Sequence, residues 1–282
     1  MTMGEWLEYW LSVYVCGPVS GLAPSTQACY ARAVAAVPDA LRQVPLSALS
    51  ALDIMPWIVS VAAVHPRAAQ LDRVMLSIAL RIAAKMGLCS PGIIDPDTCP
   101  MPRHKPREAA ILAANELRLY MATAQWSPCA PVLMLCACGL RRGEAWGMRW
   151  DAVDMGAGTV SVLGQRVGDE LRPPKTASGR RCLRMPRMLA DVLRVWPHSS
   201  DWVCDVPLKR VYAAHQDVLR LAGLPAVTLH GLRHSYATAA VGAGVPVKLV
   251  QYALGHAHYD VTADIYAHHP PAVSEVCCGV YD

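Results

Sequence analysis

The chain has 282 residues, of which 54% are hydrophobic and 17% are charged, and its formal net charge is +4 at pH 7. This composition supplies enough apolar side chains to bury a substantial core, and it excludes a disordered chain. The first ten residues contain no Lys or Arg, and no stretch reaches the roughly 20 apolar residues of a membrane span. We therefore expect a cytoplasmic protein that makes no contact with a membrane.

The first 87 residues are predicted to form four helices. Apolar residues recur at helical spacing in four segments, 5–15, 25–37, 49–64 and 67–87. The opposite side of the last segment carries Arg73, Arg81 and Lys85, which could face a nucleic acid or simply the solvent. Residues 88–107 contain five prolines, a density that excludes regular structure and predicts a linker between two domains.

Residues 108–282 are predicted to form a second, mainly α domain that includes a small antiparallel sheet. Short segments between 159 and 186 alternate with turn residues, as strands do. Helical signals precede and follow them, at 114–126, 128–138, 187–195, 207–222, 229–242, 246–254 and 260–268. The expected fold is mainly α, with a four-helix N-terminal domain and a mostly helical mixed α/β second domain.

A cluster of basic residues lies in this second domain. Residues 171–190 contain six Lys or Arg and no acidic residue. Such a pattern suits a polyanion, although an ordinary solvated surface can also show it. The candidate contacts with nucleic acid in and near this stretch are Arg142, Arg172, Arg180 and Arg181.

Three segments place polar residues in apolar surroundings. In the first, Arg141 follows an apolar helix and needs an anionic partner if it is buried. Glu144 could be that partner, or it could orient the guanidinium group toward a phosphate. In the second, Lys175 lies near the tip of a predicted hairpin. In the third, His230 and Arg233 share one face at the start of a helix, where free N–H groups favour an anion.

Two Arg, one Lys and two His are the groups that catalysis at a phosphodiester requires without a metal ion. Guanidinium groups stabilise the additional charge of the transition state, while Lys and His transfer protons. Residues 254–269 supply the second histidine, His256, and a candidate nucleophile, Tyr266, whose phenol can be activated by neighbouring cations. No Cys or carboxylate cluster surrounds these histidines at ligand spacing, so we expect no metal site.

These segments resemble the catalytic motifs of the tyrosine recombinase (phage integrase) family, in the family's order. The resemblance rests on LCACGLRRGE, the PPKT hairpin, LHGLRHSYAT, and LGH followed by TADIYAH. It covers the second domain nearly completely, whereas the first domain resembles the family's helical core-binding (SAM-like) domain by pattern only. The motifs match seven catalytic positions of the family: Arg141, Glu144, Lys175, His230, Arg233, His256 and Tyr266.

The resemblance also implies a reaction. The two domains would enclose duplex DNA, and Tyr266 would attack the scissile phosphate to give a 3′-phosphotyrosine and a free 5′-hydroxyl. Lys175 would be the general acid, and Glu144 would be the acidic companion of Arg141. A 5′-hydroxyl of a second strand would reverse the step, so neither ATP nor a metal cofactor is needed.

The implied partners are double-stranded DNA at core attachment sites and further copies of the chain, four of them acting on two duplexes. A directionality factor is left open as a further partner. Because the helical pattern begins within the first few residues, we expect the short type without an arm-binding domain, a phage or mobile-element integrase. Three alternatives remain: a catalytically silent DNA-binding protein of the same fold, an Xer-like dimer resolvase, and a relaxing enzyme of the type IB topoisomerase kind.

Overall fold

A computed structural model describes residues 1–18, 20–102, 110–174 and 179–255. The chain separates into two compact units, Met1–Arg107 and Glu108–Asp282. Each unit has its own cluster of buried hydrophobic residues. Within the described ranges, none of the helices combines the length and the apolar character that crossing a bilayer requires.

The described part of the first unit is entirely helical in its regular structure. Its α-helices are α1 (Met3–Trp10), α2 (Pro24–Ala35), α3 (Asp39–Arg42), α4 (Ala51–Val64) and α5 (Pro66–Lys85). A π-helical segment, Leu11–Val15, continues α1. All four predicted helices are therefore present. The additional helix α3 was not predicted, because a single turn is too short to show a hydrophobic period.

Local sequence explains where the first helix begins and how it packs. The Thr2 hydroxyl accepts a hydrogen bond from the Glu5 amide at 3.3 Å, and the Glu5 carboxylate accepts one from the Thr2 amide at 2.8 Å. This reciprocal arrangement satisfies two amides that the helix itself leaves unpaired. The buried Trp6 donates its indole N–H to the Ala79 carbonyl of α5 at 3.1 Å, so α1 is tied to the longest helix of the unit.

Residues 88–102 form turns without helix or strand, as their prolines predict. They do not all behave as a free linker, however. Ile93 belongs to the buried cluster of the first unit, and Cys99 is also buried. Apolar side chains between the prolines thus extend the core of the first unit, and the part of the predicted linker up to residue 102 packs against it.

The described part of the second unit has seven α-helices and five short strands. The helices are α6 (Ala114–Ala124), α7 (Ala130–Ala137), α8 (Arg142–Trp146), α9 (Arg187–Val195), α10 (Leu208–Leu221), α11 (Leu229–Gly242) and α12 (Val247–Leu254). All eight residues of α7 are buried, and it packs against α6, α8, α9 and α11. This apolar helix is the centre of the unit.

The strands form two small antiparallel sheets. The strands are β1 (Val153–Asp154), β2 (Thr159–Val162), β3 (Gln165–Val167), β4 (Glu170–Arg172) and β5 (Arg181–Arg184). One sheet has the order β1-β2-β5, and the other is the hairpin β3-β4. In the first sheet Val162 is opposite Arg181. The fold is therefore mainly α with small antiparallel sheets, as predicted.

Candidate active site

Glu144 organises the side chains that follow α7. Arg141 precedes α8 and donates its backbone N–H to one carboxylate oxygen of Glu144 at 2.9 Å and its guanidinium to the other at 2.8 Å. Burial alone would raise the pKa of Glu144, but the hydrogen bond and charge of Arg181, followed by the bonds from Arg141, hold it below its usual value. Glu144 is therefore a buried carboxylate ion, and the pairing of Arg141 with Glu144 is observed.

Arg181 enters the same cluster from the sheet. It is the first residue of β5, and its side chain is completely buried. Its guanidinium donates to both oxygens of Glu144, at 2.7 and 3.3 Å. Glu144 thus accepts four hydrogen bonds, two from Arg141 and two from Arg181, which uses the full acceptor capacity of a carboxylate.

The helix α11 supplies the third arginine. The Thr228 hydroxyl caps this helix by accepting from the Gly231 amide at 2.9 Å, and His230 and Arg233 follow in the first two turns. Arg233 is 3% exposed and donates to the carbonyls of Gly139 at 2.8 Å and Leu254 at 2.6 Å. Burial and the nearby charge of Arg141 lower the pKa of Arg233.

His230 is exposed and lies near Arg233 and Arg141. Its ring meets the ring of His234 edge to face, with centroids 4.6 Å apart. Burial lowers the pKa of His230, and the charges of His234, Arg233 and Arg141 lower it further. A neutral imidazole at neutral pH can accept a proton. His234 is half-buried against this ring.

The end of α12 meets all three arginines. Its last carbonyls have no partner within the helix, and Gly255 ends it in the left-handed conformation, with φ 65° and ψ 45°. The carbonyl of Ala253 accepts from Arg181 at 2.7 Å, that of Leu254 from Arg233 at 2.6 Å, and that of Gly255 from Arg141 at 2.9 Å. Three consecutive carbonyls are therefore each bound by a different guanidinium group.

We define the arginine cluster as Arg141, Arg181, Arg233 and Glu144. Its positive and negative charges do not balance. Three guanidinium groups oppose one carboxylate, and the other hydrogen-bond partners given above are neutral carbonyls. The side chain of Arg141 is 39% exposed, so part of this excess positive charge is accessible to solvent. Such a cluster can bind a monoanion and stabilises a dianion more strongly.

Three predicted catalytic residues, Lys175, His256 and Tyr266, lie outside the described residues. The strands that flank Lys175 are described: β4 ends at Arg172 and β5 begins at Arg181. Among the predicted catalytic residues, the structure brings Arg141, Glu144, His230 and Arg233 together.

The expectation that Arg73 shares an exposed face with Arg81 and Lys85 is wrong. Arg73 is 7% exposed, and its Nε–H donates to the Cys99 carbonyl at 2.5 Å. Eight residues at 100° each place Arg73 about 80° around the helix from Arg81. Arg81 and Lys85 are exposed and line an open cavity of about 400 Å³ on the first unit.

The expectation that Arg181 contacts nucleic acid is also wrong, because its buried side chain is engaged by Glu144. Side chains alternate between the two faces of a strand, and this alternation was the sequence signal that could have indicated the burial of Arg181. In β5, Arg181 is buried and Cys182 exposed, and a buried strand-end arginine requires a carboxylate. The chain contains several acidic residues, and the sequence does not show that Glu144 is the one that pairs with Arg181.

The other predicted contacts of the second unit remain at the surface. Arg142 and Arg180 are exposed, and Arg142 donates to the Tyr212 hydroxyl. Arg172 is half-exposed and pairs with Glu170 at 3.2 Å. The basic stretch 171–190 is therefore partly neutralised by acidic residues that lie outside it.

Known proteins share both sequence and fold with this chain. Residues 108–272 match the model of the phage integrase family. The tyrosine recombinase XerC of Rhodospirillum centenum is 31% identical over 183 residues, which are 58% of this chain and 52% of the relative. The chain spans about half the length of the curated relatives it matches.

Solved structures resemble the chain over most of its length at low sequence identity. The Tn1549 transposon integrase in complex with a circular intermediate DNA has a TM-score of 0.78 at 17% identity, covering 96% of both chains. A lambda integrase tetramer bound to a Holliday junction has a TM-score of 0.73 at 18% identity, covering 94% of this chain and 77% of that one. These similarities establish a shared fold.

Proposed function

The chain belongs to the phage integrase family, and on this premise we propose that it is a site-specific DNA recombinase acting through a covalent 3′-phosphotyrosine. The observation that carries the proposal is the arginine cluster, in which Arg141 and Arg181 bind one carboxylate and Arg233 binds the same helix end beside them. A phosphodiester carries one negative charge, and its transition state carries more. The cluster therefore stabilises the transition state more than the ground state, which is the requirement for catalysis.

In the proposed cleavage step the Tyr266 oxygen forms a bond to phosphorus while the bond from phosphorus to the 5′ oxygen breaks. Arg141 and Arg233 bind the non-bridging oxygens. His230, which is neutral at neutral pH because of its lowered pKa, accepts the phenol proton. Lys175 donates a proton to the departing 5′ oxygen. His256, which follows the α12 end held by the three arginines, binds the same phosphate.

Rejoining is the reverse of cleavage. A 5′-hydroxyl attacks the phosphotyrosine, the new phosphodiester forms, and Tyr266 recovers its proton. The phosphotyrosine keeps the energy of the original bond, so strand exchange requires no nucleotide hydrolysis. We further propose that four copies act on two duplexes, because a lambda integrase tetramer of the same fold is bound to a Holliday junction.

A second candidate function is the resolution of chromosome or plasmid dimers. It is favoured by sequence relatives that are Xer recombinases, whereas integrases are prominent among the similar structures. The DNA flanking the gene distinguishes the two functions. A repeated core sequence at the two ends of an inserted element favours the integrase, and an isolated site near a replication terminus favours the resolvase.

The test of cleavage uses nicked duplexes tiled across the DNA that flanks the gene. Near such a nick the cleaved fragment diffuses away, so the covalent complex accumulates and is visible on a denaturing gel. Wild type is expected to form the complex. Tyr266→Phe should form none while binding the same DNA, because only a hydroxyl is removed.

Tyr259→Phe is the matched control, since it removes the same atom from a tyrosine in the same segment. It is expected to form the complex. A covalent complex with Tyr266→Phe and none with Tyr259→Phe would assign the nucleophile to Tyr259. If neither wild type nor any variant formed a complex on any tile, the proposed strand cleavage would be wrong.

A further inference from the structure

Arg181 is the residue that connects Glu144 with the end of α12. Its Nε–H donates to the Ala253 carbonyl at 2.7 Å, while its two terminal nitrogens donate to Glu144. A further bond, to the Gly179 carbonyl at 3.0 Å, holds the guanidinium near the start of β5. This one planar group therefore binds a carboxylate and two carbonyls with fixed geometry, which the forked donors of arginine permit and a lysine ammonium does not.

The contacts of Arg181 affect Arg141 in two ways. The first is positional, because Glu144 holds both the backbone amide and the guanidinium of Arg141, and Arg181 holds Glu144. The second is electrostatic. With Arg181 present, the arginine cluster has an excess of two positive charges; without it, Glu144 and Arg141 would neutralise one another and only the charge of Arg233 would remain.

The side chain of Arg181 also binds the backbone that precedes His256. Arg181, Arg233 and Arg141 bind the carbonyls of residues 253, 254 and 255 in succession. These carbonyls form the negative end of the α12 dipole, which positive groups stabilise. Arg181 has no exposed side-chain surface, so it cannot itself bind a phosphate in this arrangement.

We propose that Arg181 is a positioning residue, which holds Glu144, and through it Arg141, and anchors the end of α12 that leads to His256. This inference rests on the proposed function, since the groups positioned are those assigned to the phosphate. It predicts that Arg181 governs the rate of strand cleavage and has little influence on DNA affinity.

The first experiment compares single-turnover cleavage of the nicked duplex by full-length wild type, Arg181→Met and Arg181→Lys. Arg181→Met should slow cleavage by roughly tenfold to a hundredfold, a reduction typical of misplaced catalytic groups, with DNA affinity within about twofold of wild type. Arg181→Lys should be intermediate, because it keeps the charge without the fork. Arg220→Met is the charge-matched control: Arg220 is exposed and pairs with Asp217 at 2.9 Å, so wild-type cleavage is expected.

The double variant Arg181→Met/Glu144→Gln separates the electrostatic effect of Arg181 on the arginine cluster from general disruption of the fold. Removing the Glu144 carboxylate leaves Arg141 and Arg233 as two uncompensated positive charges, as many as in wild type. This variant should therefore cleave several times faster than Arg181→Met. Two buried substitutions that only damaged the fold would instead combine to a slower rate. An unchanged rate in Arg181→Met, or a loss of affinity as large as the loss of rate, would overturn the proposal.

A second measurement does not depend on cleavage. Hydrogen exchange in the DNA-free chain should become faster in the peptide that contains α12 in Arg181→Met, while exchange in the helices of the first unit stays unchanged. If wild type forms no covalent complex, the proposed function fails, and faster exchange in α12 still supports the anchoring role. Unchanged exchange in α12 would refute that role even in an active enzyme.

Discussion

Gly139, in the turn that ends α7, adopts a backbone conformation that favours glycine. Its φ is +89°, and a Cβ atom at this position would lie 2.6 Å from the ring of Tyr236. Its carbonyl is one of the two acceptors of the buried Arg233. The residue therefore connects the central helix with α11 through a close approach that a methyl group would prevent.

Gly139→Ala is expected to lower the free energy of unfolding by roughly 1–3 kcal/mol, the usual cost of a strained backbone position, before any displacement of the Tyr236 ring. Urea denaturation followed by circular dichroism measures the change. The control is Gly242→Ala at the end of α11, where the added methyl group would meet nothing within 4 Å. That substitution should leave stability unchanged or raise it slightly, and equal losses of stability in the two variants would contradict the explanation.

At the scale of single helices, two aspartates of the first unit contribute with opposite sign. Asp53 accepts hydrogen bonds from the Ser50 amide at 2.8 Å and the Ser50 hydroxyl at 2.7 Å, at the start of α4. These bonds hold the pKa of Asp53 below its usual value. Asp72 is buried in the middle of α5, and burial raises its pKa to about 6. The first carboxylate stabilises the folded state, and the second destabilises it.

Asp72→Asn should therefore stabilise the first unit at pH 7. The pKa of Asp72 is about 6 in the folded state, and its ordinary value is 3.8. The destabilisation of the folded state by the buried Asp72 carboxylate, which we call the penalty, is therefore fully present above pH 6. As pH falls from 6 toward 4 the folded state takes up the proton first, and the penalty disappears. The stabilisation at pH 7 should be roughly 1–3 kcal/mol, measured by urea denaturation, and it should vanish near pH 4.

Asp53→Asn is the control for this pair, because it removes the same charge from a neighbouring helix. It should destabilise the unit at pH 7, since the pKa of Asp53 is lowered and its stabilising effect is present above the ordinary value. If both substitutions changed stability in the same direction at pH 7, the burial of Asp72 would not explain its effect.

The two units have separate hydrophobic cores, so one unit can be altered without the other. We expect Arg81 and Lys85, both exposed on α5, to bind DNA phosphates. Replacing both with Glu should weaken binding to a short nonspecific duplex. It should also lower the dependence of log K on log salt by about one for each phosphate that is no longer neutralised. Fluorescence anisotropy across a salt series measures both quantities.

The control for this prediction is Arg32→Glu, an exposed position on α2, compared with Arg81→Glu. The two variants have the same net charge, so an effect of overall charge alone would be equal in both. A larger decrease in affinity with Arg81→Glu is expected. Equal decreases would show that α5 has no particular role, and the thermal unfolding of the second unit should be unchanged in either variant.

We could predict the periodic helices, the mainly α class and the candidate Arg141–Glu144 pair from the sequence, because each depends on residues close together in the chain. The periods of α4, α5 and α11 are visible within a few turns, and three residues separate Arg141 from Glu144. Likewise, His230 and Arg233 were placed together at the start of α11 by their spacing alone.

The roles of Arg73 and Arg181 depend on contacts between residues that are far apart in the sequence. Arg73 is buried because the chain returns at Cys99, 26 residues later. Arg181 reaches Glu144 across 37 residues and Ala253 across 72, through the pairing of β2 with β5 and the packing of α12. Spacing predicts which side chains share a face of one element. Which carboxylate neutralises a buried arginine depends on long-range packing, because the cost of burying a charge is offset only by the partner that the fold brings within hydrogen-bonding distance.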